Sequence, residues 1–311
     1  MAMVSEAADR ALAGLETPSG KGAGDENFPV ASFLLPAALR PHVRAFYAFV
    51  RAADDIADNP ALGADDKLRR LARFAEALTG SEEQAVALPK AMALRASLAA
   101  TGVSAQHALD LLAAFTRDAT RLRYRDWPDL LGYCALSARP VGRYLLDLHG
   151  EPSALYALSD PLCDALQVLN HLQDCRDDYR ALDRVYLPLD RFAAAGIGVE
   201  ELDRPRAGPA LRRVLDDTLV GVEQLLEAAG DLPQALTSRR LAAESAVILA
   251  LARRLAVELR RRDPLAERVE LGRVAFLRSA LSGLARMPWS RRRRPLAPAE
   301  QVLGSGPRMP R

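Results

Sequence analysis

The chain has 311 residues, half of them hydrophobic, and a formal net charge of +2. That length buries one large core, as one domain or as two smaller ones, and the balanced charge gives no reason to propose a nucleic acid partner. Aromatic residues are scarce while Ala, Leu and Arg dominate, a helix-forming composition.

Residues 1–26 lack a charged-then-apolar signal pattern, and the stretch into the fold, "TPSGKGAGDEN", is rich in Gly and small polar residues. It predicts a mobile arm. No apolar run reaches membrane-spanning length. The cysteines Cys134, Cys163 and Cys175 fit neither a disulfide framework nor zinc spacing, so a reducing compartment and a soluble cytoplasmic protein are expected. From residue 27 to 286 the pattern is helical throughout and predicts a single all-α domain. Val43, Phe46, Tyr47 and Val50 recur at helical spacing, as do Leu109, Leu112 and Phe115, and later Leu211, Val214, Leu215, Leu219 and Val222. "DWPD" at Asp126 and "SDPL" at Ser159 predict helix starts, each with Pro behind a capping residue. Breaks are predicted at Thr101–Gly102, at His149–Pro152 and across "AAAGIGVEELDRPRAGP". Residues 287–311 read as a basic, Pro-rich tail, either a solvated disordered terminus or a segment weakly attracted to an anionic membrane surface.

Two stretches carry chemistry. In "FYAFVRAADDIADNP" the stripe Val43, Tyr47, Val50 continues to Asp54 and Asp58, with Asp55 off to the side. Aspartates are common on solvated helix faces, but these two lie on the line that faces the core. Two carboxylates one turn apart repel and are costly to bury, so they need a counter-charge. In "PLCDALQVLNHLQDCRDDYRALDRVYLP" Leu162, Leu166, Leu169 and Leu172 form a core arc. Beside it Asn170, Asp174 and Asp178 follow at successive i, i+4 positions. Two such helices facing each other make a pocket for several magnesium ions, which complete their shells with substrate phosphate oxygens. A diphosphate leaving group is the implied substrate feature. Arg51, Arg176, Arg180 and Arg184 flank the acids, and surface ion pairs account for at least two of them. His42, His107, His149 and His171 show no metal-ligand pairing, and no Gly-rich nucleotide loop follows a strand.

The paired motifs resemble those of the squalene/phytoene synthase family. The resemblance implies an isoprenoid synthase helical bundle with a central cavity, an Mg2+-dependent enzyme and a prenyl diphosphate substrate. "DDIAD" is similar to the first Asp-rich motif, giving Asp54 and Asp58 as metal ligands and catalytic residues. "NHLQDCRDDYRALDRVYLP" is similar to the second, giving Asn170, Asp174 and Asp178, with Arg184 and Tyr186 in its tail. "YCALSARPVGR" resembles the cavity segment, placing Tyr133, Val141 and Gly142 there. Tyr47 and Arg51 match positions that line the cavity and contact diphosphate, and Phe28 is a further lining candidate. Tyr133 either packs in the core or positions a water through its hydroxyl.

Departures narrow the choice. "ENFPVASFLLP" stands where condensing members open with a His-Ser-x-Ser-Phe type segment, and Gln173 stands where they carry Arg. These fit an enzyme handling one diphosphate. "GKGAGDENFPVAS", "RAADDIADNP" and "LQVLNHLQDCRDDY" resemble the family's bacterial, hopanoid-pathway branch. That branch ionises presqualene diphosphate and lets water capture the rearranged cation as hydroxysqualene, with no NADPH. The alternatives are a condensing synthase making presqualene diphosphate or phytoene, and a non-catalytic prenyl-binding protein on the same fold.

Overall fold

The computed structural model describes residues 35–80 and 88–285. The expected arm at 1–26, Phe28 and the tail at 287–311 lie outside the described residues. Within them the chain is all-α, with twelve α-helices and no strand; Arg123 and Val185 form an isolated bridge.

Four helices form one side: α1 (Arg40–Ala57), α2 (Ala64–Thr79), α3 (Pro89–Thr101) and α4 (Gln106–Asp118). Their stripes meet at Phe49, Phe74, Leu71, Leu94 and Leu111, all buried. Next come α5 (Trp127–Ser137), α6 (Arg139–Leu148) and the long α7 (Tyr156–Leu182). The chain ends with α8 (Leu189–Ala195), α9 (Pro209–Ala228), α10 (Leu232–Ala235), α11 (Arg239–Arg261) and α12 (Arg273–Ala285). Helix α7 packs on α5, α6, α9 and α11, while α1 packs on α2, α3 and α4. Helix α4 joins the two sets, because it also packs on α5 and α6. The apolar line of α9, from Leu211 to Val222, is buried as its spacing predicts.

Local chemistry sets the boundaries. Asp126 caps α5, its carboxylate accepting from the Asp129 N–H at 2.9 Å, with Pro128 in the first turn. The break at Thr101–Gly102 is a left-handed turn, with φ of 71° at Gly102. One boundary differs: α7 starts at Tyr156 rather than at Ser159. A 3₁₀ turn over Ser153–Leu155 feeds directly into it. Pro161 is therefore inside the helix, where its missing N–H removes the helical hydrogen bond to the Ala157 carbonyl. Ser159 is not a cap; it is buried against α6. The buried Glu151 ties this corner to the far side, accepting from the N–H groups of Thr237 and Ser238 at 3.0 and 2.6 Å where α11 begins.

Candidate active site

The C-terminal end of α1 carries the first acidic group. Asp54 and Asp58 are half-buried, and Asp55 is the deepest of the three at 8% exposure. The line Tyr47, Val50, Arg51, Asp54, Asp58 thus runs along the edge of the buried arc. The arc itself is Phe46, Phe49, Ala53, Ile56 and Ala57. Arg51 explains how Asp55 tolerates burial: its guanidinium reaches Asp55 Oδ1 at 2.7 Å and Asp54 Oδ2 at 2.9 Å. Asp55 holds Arg51, as its position one turn along from it implies.

The second acidic group lies on α7. Asn170, Asp174 and Asp178 are half-buried on one line, between the buried Leu169, Leu172 and Cys175 and the exposed Asp177. Just beyond α7 the chain turns at Asp183, whose φ of 50° makes it the one non-glycine residue with positive φ among those described. The turn delivers Arg184 back across the molecule to Asp58. Its Nη1 donates to Asp58 Oδ1 at 2.6 Å and its Nη2 to the Ala57 carbonyl at 3.0 Å. Lys67 Nζ donates to that carbonyl at 2.7 Å, so two cations sit at the negative end of α1.

Between the two groups is a carboxylate absent from the sequence reading. Asp118, the last residue of α4, is buried and accepts hydrogen bonds from Tyr133 at 2.7 Å and Tyr186 at 3.1 Å. The signal was available: Leu112 and Phe115 lead to Asp118 by the same stripe logic that singled out Asp54. Around it Tyr124, Tyr133, Tyr186 and His171 make an aromatic cluster. Tyr133 lies 5.2 Å from Tyr124 and 5.4 Å from Tyr186, ring centre to ring centre. His171 stacks on Tyr186 at 3.6 Å.

The electrostatics are those of a site short of positive charge. Burial, then Asp58, pushes the Asp54 carboxyl up to about 7. Burial, then Asp174 and Asp58, pushes Asp178 up to about 8. Burial likewise raises Asp118 to about 6, with Arg184 and the two tyrosine hydroxyls opposing it. These couplings bring acids of α1, α4 and α7 into one electrostatic unit. Arg184 stays charged: burial opposes its charge, but Tyr186, Asp118 and Asp58 outweigh that. His171 is kept neutral, its pKa lowered to about 3 by burial and by Arg184. Among the described residues no three His, Cys, Asp or Glu side chains converge closely enough to enclose an ion by themselves.

Other expected site residues fall at different places. Tyr47 sits half-buried one turn before Arg51. Val141 is exposed, at the start of α6. Gly142 lies at a helix crossing: a Cβ there would come within 2.5 Å of Cys163 Sγ and 2.6 Å of Ser159 Oγ, so only glycine allows this approach of α6 to α7. Gln173 is buried and donates to the Val269 carbonyl at 2.6 Å, fastening the segment before α12. Arg176 does the same to Leu265 at 2.6 Å, and Arg180 pairs with Asp203 on the surface. The other three histidines make structural contacts: His42 with Ser97, His107 with Asp147, and His149 with the Leu145 carbonyl.

The squalene/phytoene synthase family model matches residues 22–300. A hydroxysqualene synthase of Rhodopseudomonas palustris is 45% identical over 270 residues, 87% of this chain and 91% of that protein. One from Zymomonas mobilis is 44% identical, covering 81% of this chain and 84% of its own length. The crystal structure of squalene synthase HpnC from Alicyclobacillus acidocaldarius superposes with a TM-score of 0.66 at 29% identity, over 82% of this chain and 94% of that one. The chain therefore belongs to the squalene/phytoene synthase family.

Proposed function

We propose that this chain is a hydroxysqualene synthase, converting presqualene diphosphate and water to hydroxysqualene and diphosphate. The observation that carries the reading is the acid excess shared by α1, α4 and α7, which Arg51 and Arg184 only partly offset. All the donors are oxygens in two opposed groups. That suits a hard cation that keeps waters and takes phosphate oxygens, and it does not suit zinc. Asp54, Asp58, Asn170, Asp174 and Asp178 would hold Mg2+. When bound, Mg2+ supplies the positive charge that stabilises diphosphate as a leaving group.

Arg51 and Arg184 bind diphosphate oxygens, exchanging part of their present carboxylate contacts for them. The C–O bond breaks with its electron pair leaving on the diphosphate, and a cyclopropylcarbinyl cation remains. The ring faces of Tyr47, Tyr133 and Tyr186, with the neutral His171, stabilise that cation while it rearranges. Tyr133 donates its hydrogen to Asp118, which leaves its oxygen to accept from the incoming water. Water adds to the cation and loses one proton, so the balance needs no hydride and no NADPH. The hydroxysqualene synthases among its relatives support water capture over condensation. We place the protein in the cytoplasm, working on lipids drawn from the inner membrane face.

Incubation of the purified full-length chain with Mg2+, presqualene diphosphate and 18O-water tests this. Mass spectrometry should find hydroxysqualene carrying the label. Rapid turnover of farnesyl diphosphate alone to presqualene diphosphate would instead make it a condensing synthase.

A further inference from the structure

Helix α12 is built the wrong way round for a helix that serves only to close a core. Its side toward α11 carries small residues, Ala275, Ser279, Ser282 and Gly283. Gly283 is its one buried residue among those described, and a Cβ there would come within 2.5 Å of the Ala246 carbonyl oxygen. That close approach fixes which face points out. The large apolar side chains are on that outer face: Val274, Leu277 and Leu281 are 66%, 59% and 58% exposed, at the i, i+3, i+7 spacing of one stripe. Phe276 lies off this stripe, nearer the Gly283 side, and is 38% exposed. Scattered exposed leucines need no explanation, but a stripe of them on a helix does.

The charge around this stripe has one sign. Residues 271–299 contain seven arginines and no Asp or Glu. Arg273 and Arg278 of α12 join Arg253 and Arg254 of α11 in lining a groove of about 760 Å3 at the edge of the helix. Arg254 is paired with Glu258 and Arg253 with the Leu226 carbonyl, whereas Arg273 and Arg278 have no acidic partner within ion-pair distance among the described residues. A second copy on the same face would bring these arginines against one another. A surface combining apolar depth with negative charge answers both features.

We propose that the outer face of α12 docks on an anionic lipid surface. Val274, Leu277 and Leu281 enter the headgroup–acyl boundary, and Arg273 and Arg278 meet lipid phosphates. No described helix is long and apolar enough to cross a membrane, so the contact is one that lies on the bilayer. The proposal is independent of the reaction assigned above, and its test does not read turnover.

The test is flotation of the full-length chain with vesicles of phosphatidylcholine alone and of phosphatidylcholine with phosphatidylglycerol. Binding should be confined to the anionic vesicles and should fall as salt rises. Leu277→Glu with Leu281→Glu should weaken partitioning at least about tenfold, because both side chains leave the lipid. Arg273→Glu with Arg278→Glu should weaken it at least about thirtyfold, the loss of two cationic contacts before any added repulsion. Circular dichroism and melting of each variant should match the parent, since these side chains make no core contact. Equal binding to both vesicle types, or unchanged binding by the leucine variant, would overturn the proposal. So would a dimer in light scattering that the leucine variant dissolves without any vesicle binding, which would assign the face to a second copy.

Discussion

The two halves of α7 carry the same residue type in opposite circumstances. In its first half Asp160 and Asp164 each meet an arginine of α6 through two hydrogen bonds or more: Arg143 at 2.9 and 2.5 Å, Arg139 at 2.9 to 3.1 Å. In its second half Asp174 and Asp178 face further carboxylates of α1 and α4. The arginine that opposes the shift of Asp178, Arg184, is also engaged by Asp58. Burial raises Asp164 as well, but Arg139 opposes it, whereas Asp178 is raised by burial and by its acidic neighbours together. An aspartate with its own bidentate partner builds structure. An aspartate raised by other aspartates is one that an added cation would stabilise.

That contrast is open to direct attack. The largest effect is expected where carboxylates crowd one another: Asp54→Asn and Asp174→Asn should each lower kcat/KM about 10³-fold. Their metal-free melting temperature should stay equal or rise, because a repulsion is removed. Steady-state kinetics beside calorimetry checks both, and retained activity in both variants would remove the metal assignment. The first half should show the reverse. Arg139→Met leaves the buried Asp164 without its partner and should cost about 3 kcal/mol of stability. Activity of the remaining folded enzyme should stay within about threefold of the parent, as read by urea titration and activity per folded molecule.

Titration sharpens the comparison further. In the unfolded chain these aspartates are ionised above pH 5, while in the folded, metal-free protein Asp118, Asp54 and Asp178 hold protons to about 6, 7 and 8. The folded state then binds more protons, so stability falls as pH rises through that window. The slope is at most about 1.4 kcal/mol per pH unit for each carboxyl that ionises. Melting temperature in EDTA should drop from pH 6 to 8.5, and Mg2+ with inorganic diphosphate should flatten the drop. A flat profile without metal would mean that the acids are already compensated. The smallest effect belongs to Arg180, whose pair with Asp203 is exposed; Arg180→Ala should change stability by less than about 0.5 kcal/mol.

Periodicity read within one element was a sound guide, and what depends on a turn between elements was not. The stripes of α1, α4 and α9 are visible as spacing, and extending the α1 stripe led to Asp54 and Asp58. The same extension on α4 leads to Asp118, but there the apolar line ends in a single carboxylate, a weaker signal than a repeated motif. Asp55 was read as lying to the side, yet it is the most buried of the three. Burial at the end of α1 comes from two directions, and an i, i+4 arginine makes it tolerable. The start of α7 was read three residues late, because Pro161 looks like a first-turn proline and nothing in the sequence announces the preceding 3₁₀ turn. Gln173 was read as a cation lost from the site. Its amide is used on the Val269 carbonyl, a contact between residues 96 positions apart that no local pattern encodes.

The contact from Arg184 to Asp58 joins residues 126 positions apart. Closing so long a loop costs entropy before the contact returns anything, so this pairing belongs to the late, non-local part of folding. Until α7 and its terminal turn have docked, the acids of α1 face Asp118 of α4 without the second acidic group. On the proposed assignment, diphosphate and metal would recognise the finished molecule alone. Their binding would draw the folding equilibrium toward the native state, and a half-folded chain would ionise no substrate.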